Sequence, residues 1–66
     1  EFQLNLANVY LFTDRVSEAK KIHNQYKMQN ISSNVSWVNK TKSDFSEFEK
    51  KGFPSDNFKK ILRILE

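Results

Sequence analysis

Between residues 2 and 12 the chain reads Phe-Gln-Leu-Asn-Leu-Ala-Asn-Val-Tyr-Leu-Phe. Phe2, Leu6, Val9 and Tyr10 recur at helical spacing, and Leu4, Ala7 and Leu11 widen the stripe. The pattern predicts a helix over 2–12, apolar around so much of its circumference that it packs on more than one side. A polar break, Thr13-Asp14-Arg15, supplies a turn in which Thr13 or Asp14 is expected to cap the next helix. From about Arg15 to Met28, Val16, Ala19, Ile22, His23 and Tyr26 share an inner face, with Arg15, Glu18, Lys21 and Gln25 opposite. The two segments make a short αα-hairpin, whose single apolar face has to be buried against further helices.

Gln29 to Ser36 reads as a loop, because clustered Asn and Ser compete with the helical backbone for hydrogen bonds. Ser36 is placed to cap a helix from Trp37 to Lys51, with Trp37, Val38, Thr41, Phe45 and Phe48 inward. Lysines in its last turn followed by Gly52 form a stop signal. Pro54 precedes a last helix over 56–65, capped by Ser55 or Asp56. Its stripe is Phe58, Ile61, Leu62 and Leu65, and Lys59, Lys60 and Arg63 face water. The expected fold is all-α: four helices, neighbours antiparallel, in a first unit over 1–31 and a closing unit over 32–66.

The first hairpin resembles a tetratricopeptide repeat. Asn-Leu-Ala-Asn-Val-Tyr at 5–10 and Glu18-Ala19 carry the likeness. Leu6 and Ala7 match the family's large and small positions on the first helix. Tyr10 matches its aromatic, and Ala19 the small residue where the two helices cross. Gln3, Asp14, His23, Tyr26 and Ile31 depart from the pattern, Asp14 standing where a turn glycine is common. The second half, with Trp37, Asp44-Phe45, Phe48, Lys51-Gly52 and the last amphipathic helix, resembles the segment that closes some bacterial tetratricopeptide arrays. The resemblance implies the C-terminal part of an αα-superhelix and a non-catalytic protein–protein interaction scaffold that packs against upstream repeats of its own chain. It also implies a protein or peptide partner met by Asn5 and Asn8, which match groove-facing asparagines of the family. Starting at Glu1 without Met, the chain is expected to be a fragment of a longer array.

Composition adjusts this picture only slightly. Sixty-six residues, 38% of them apolar, permit one marginal domain. The absence of Cys excludes a disulfide framework and thiolate metal ligands. No apolar run reaches membrane-spanning length, and no signal segment is seen, so a cytoplasmic location is expected. Sequons at Asn30, Asn34 and Asn39 are short enough to arise by chance. Catalysis would require His23, the single histidine, with carboxylates such as Asp44 and Glu47, and no spacing brings these together. No cofactor or metal motif occurs. The rival reading is a small basic bundle that binds nucleic acid, suggested by a net charge of +3 and by Lys20, Lys21 and Lys27 on one helix and Lys59, Lys60 and Arg63 on another. The interspersed acidic residues, and the presence of only Arg15 and Arg63 for base contacts, argue against it.

Overall fold

A computed structural model describes residues 2–66 of the chain; Glu1, where the first predicted unit begins, lies outside the described residues. Four helices follow one another: α1 (Phe2–Phe12), α2 (Val16–Tyr26), α3 (Trp37–Lys50) and α4 (Asp56–Leu65). Each coincides with a predicted helix to within two residues at either end. Between α2 and α3 lies a small antiparallel hairpin, β1 (Asn30–Ser32) and β2 (Val35–Ser36), turning at Ser33-Asn34. The loop expected there is therefore partly ordered. Its strands are too short to show an alternating pattern against so much Asn and Ser. Gln29 also accepts a backbone bond from Trp37 N, 2.9 Å, which closes the base of the hairpin onto α3.

The turn between α1 and α2 is built differently from expectation. Neither Thr13 nor Asp14 caps α2: the N-cap position is Arg15, and no side chain bonds there. Both residues instead terminate α1. Asp14 has φ 59°, its N–H donates to Leu11 O at 3.3 Å, and Arg15 N–H donates to Tyr10 O at 2.7 Å. That pair of bonds around a left-handed residue is a Schellman motif. Thr13 Oγ1 donates to Val9 O at 2.9 Å, taking up another of the last carbonyls. Glycine is common at such a position because it lacks a Cβ to clash, and Asp is among the few substitutes tolerated. The Arg15 guanidinium lies 4.8 Å from the Tyr10 ring, supplying the contact that usually accompanies the motif.

Helix α3 ends in the same way. Gly52 has φ 89°, Gly52 N–H donates to Glu49 O at 3.0 Å, and Phe53 N–H to Phe48 O at 3.1 Å. The rings of Phe48 and Phe53 meet edge to face at 6.0 Å. At its start, Ser36 Oγ accepts from Asn39 N–H at 3.1 Å, the predicted cap. Ser55 occupies the N-cap position of α4, but its side chain makes no capping bond.

One core joins the two halves. Leu4, Leu11, Ala19, Trp37, Phe45, Phe58, Ile61 and Leu65 form a continuous buried cluster. The most extensive backbone approach is between α1 and α2, then between α2 and α4. Ala7 and Ala19, the small residues expected where the first two helices meet, are both fully buried. A small side chain on each lets the two backbones come close. Phe45 stacks on Phe58 with centroids 4.6 Å apart, tying α3 to α4, and Tyr26 stacks on Trp37 at 5.2 Å, tying α2 to α3. Full burial of such aromatic side chains stabilises by about 2–3 kcal/mol each, so a few of them dominate a core this small.

Candidate partner-binding surfaces

Helix α1 buries Leu4, Ala7, Asn8 and Leu11. The sequence pattern names Phe2, Leu6, Val9 and Tyr10 as one stripe widened by Leu4, Ala7 and Leu11, and it is the widening set that meets the core. Phe2 is 73% and Val9 53% exposed, while Leu6 and Tyr10 are half-buried. Because α1 is apolar around its circumference, periodicity alone could not say which side would meet the core. Advancing about 100° per residue, Phe2, Leu6 and Val9 fall on the side of the helix opposite Leu4, Ala7 and Leu11. No residue of α1 carries a charge. The helix thus has two apolar faces, one buried by α2 and the core, the other open.

The two asparagines expected to meet a partner separate. Asn5 is exposed on α1. Asn8 is only 7% exposed, sharing the buried stripe with Leu4 and Leu11, and is out of a partner's reach in this structure. Its Oδ1 is buried without a hydrogen-bond partner.

His23 sits at the centre of the packing, with 0% of its surface exposed. Trp37 Nε1–H donates to His23 Nδ1 at 2.9 Å. An indole N–H only donates, so Nδ1 carries no proton and the neutral imidazole holds its hydrogen on Nε2. That Nε2 is buried and unpartnered. The ring lies edge to face with Trp37 and with Phe45, and burial lowers its pKa from 6.5 to about 4. Desolvation is the cause: burial penalises the charged form of the ring. His23 is thereby committed to the core. The carboxylates that might have joined it are engaged elsewhere, Asp44 with Lys40 at 3.0 Å and Glu47 with Lys50 at 3.8 Å. Among the described residues no group of three His, Asp or Glu side chains could hold a metal ion.

A cleft of about 330 Å³ opens where the end of α1 meets the turn before α4. Leu11, Phe12, Phe53, Pro54 and Phe58 line it, with Asp14 and Asn57 as its polar members. Phe12 and Phe53, rings 5.1 Å apart, are each about half exposed on its walls. The sequence reading missed this cleft, which depends on contacts between residues some forty positions apart. Among the described residues no helix is long and apolar enough to cross a membrane. No family model, curated protein or solved structure matches this chain.

Proposed function

We propose that this chain is a non-catalytic, tetratricopeptide-like interaction scaffold, in which α1 is an inner helix packed on both sides. The outer stripe Phe2-Leu6-Val9 then lies against another helical hairpin, an upstream repeat of the same chain. The observation that carries this reading is the charge-free, two-faced α1. A helix that is apolar all round is ordinarily buried all round, because open apolar stripes cost solvation free energy. Burial at the matched positions supports the same reading: Ala7 and Ala19 are inside, and Leu6 and Tyr10 are half-buried. Helix α4 supports it from the other end. Its Phe58, Ile61 and Leu65 are buried and its Lys59, Lys60 and Arg63 exposed, as a closing helix requires.

In this scaffold a cytoplasmic protein or peptide partner meets the exposed Asn5, whose amide can both donate to and accept from an extended backbone. The test is to fuse one consensus tetratricopeptide hairpin in register ahead of α1 and follow thermal unfolding. The fused hairpin should raise the midpoint of the 2–66 fold, and Val9→Asp should abolish the gain while leaving the unfused chain almost unchanged. A midpoint that ignores both the fusion and the substitution would refute the reading.

A further inference from the structure

The cations of this chain are not spread evenly over its helices. Helix α3 is balanced, Lys40, Lys42 and Lys50 against Asp44, Glu47 and Glu49, with two ion pairs inside it. Helices α2 and α4 are not. Between them they carry Lys20, Lys21, Lys59, Lys60 and Arg63, with Lys27 at the C-cap of α2, against Glu18, Asp56 and Glu66, the last at the C-cap of α4. Glu18 is already engaged by Arg15 at 3.5 Å. None of those six cations is in a salt bridge among the described residues.

The fold brings the two sets together. Helices α2 and α4 pack directly on one another. Lys27 Nζ donates to Ile64 O at 3.4 Å, so the C-terminal ends of the two helices lie side by side. Lys20 stands two turns before Lys27 on the same stripe of α2, and Lys60 one turn before Ile64 on α4. Lys27 thus stands at the seam with Lys20 on the same side of α2, and Lys59, Lys60 and Arg63 are exposed on α4.

We infer that this α2–α4 face is a binding surface for the phosphate backbone of duplex nucleic acid, read without regard to sequence. The inference is independent of the α1 reading above. Its chemistry selects among polyanions. A protein partner would need an apolar or aromatic centre, and lysine is depleted from such interfaces. An anionic membrane would need apolar side chains beside the cations to enter the headgroup layer. A single strand would need exposed aromatic rings on which bases stack. The outward residues within the two helices, Lys21, Asn24, Lys59, Lys60 and Arg63, provide none of these, and Met28, exposed just past the end of α2, is a single apolar side chain beside six cations. With a single arginine the face has little means of reading base edges, so contacts stop at phosphate.

The experiment titrates labelled duplex DNA and duplex RNA, two unrelated sequences of each, by fluorescence anisotropy. Engaging about four phosphates gives a fall in affinity of about 150-fold between about 50 and 200 mM salt, equal for both sequences. The variant K59E/K60E should lose at least tenfold at low salt. K42E/K51E, with the same change in net charge on and beside α3, should lose less than about threefold. Circular dichroism confirms that both remain folded. Equal losses from the two variants would show that net charge alone attracts the duplex and would overturn the proposal. Tighter binding to phosphatidylserine vesicles or to polyglutamate than to duplex, at the same salt, would overturn it in favour of a membrane or an acidic protein. A preference for DNA or for RNA tells which duplex supplies the phosphates, either being consistent with the face.

Discussion

His23 should make this fold acid-sensitive by a calculable amount. The imidazole is fully buried, accepts from Trp37 Nε1–H at 2.9 Å, and has its pKa lowered from 6.5 to about 4. Above pH 6.5 the ring is neutral in both the folded and the unfolded chain, and its titration costs nothing. Below pH 6.5 the unfolded chain takes up a proton that the folded chain refuses, so stability falls with falling pH until the folded pKa near 4 is passed. The full difference of about 2.5 units corresponds to about 3 kcal/mol, and the part lost between pH 7 and pH 5 to about 2 kcal/mol. For a domain of this size that is a large share of the total stability. Urea unfolding followed by the fluorescence of Trp37, the single tryptophan, measures it at the two pH values. His23→Phe supplies the reference. It removes the acceptor from the Trp37 indole and is less stable at pH 7, but the change in its stability from pH 7 to 5 should be smaller than the wild type's by about 2 kcal/mol. An equal pH dependence in the two proteins would refute the reasoning, as would an imidazole resonance that titrates near 6.5 in the folded chain.

Other substitutions probe the joints of the fold. Ala19→Leu should overpack the contact between α1 and α2 and cost about 1–3 kcal/mol in thermal unfolding, since Ala19 has no exposed surface. Ser36→Ala should cost about 1 kcal/mol through loss of the bond to Asn39 N–H, measured in the same way. At Asp14, φ 59°, a valine should cost about 1–2 kcal/mol while a glycine should be neutral or stabilising, and urea midpoints of the pair will show the order. Gly52→Ala should cost a similar amount, about 1–2 kcal/mol. Beyond the glycine and its two chain neighbours no heavy atom lies within 4 Å of the added Cβ, so the effect is backbone strain at φ 89°.

The legible parts of this chain were those with a local signal. Ser36 ahead of Trp37, Gly52 after Lys51 and the stripe of α4 each follow from residues within a turn or two of one another, and the structure has them where the pattern put them. Asp14 was noticed as a substitute for glycine but read as a cap for α2, because the same residue type serves both ends of a helix. Only its positive φ shows that it closes α1. Helix α1 itself was legible as a helix and not as an orientation, since Leu4 and Leu11 inside and Phe2 and Val9 outside are equally apolar. The absence of charge over 2–12 is the sequence feature on which the proposed covering of both sides rests. Asn8 was placed on a surface by analogy with a family pattern. Its burial depends on which face of α1 meets the core, the point that the pattern left open. The Trp37–His23 bond, the aromatic cleft and the cationic α2–α4 face join residues distant in sequence and leave no periodic trace.

The account stands or falls on whether the outer face of α1 is covered in the working protein. The chain has no cysteine, so Val9→Cys creates a single labelling site at the middle of that face. Maleimide labelling rates should be compared, at low concentration, between the 66-residue chain alone and the same chain fused in register behind a consensus tetratricopeptide hairpin. A cysteine at this position that is open in the chain alone and shielded at least tenfold in the fusion is the predicted result. Labelling at the same rate in both would contradict it, and would leave α1 as an outer helix with an apolar face turned to water.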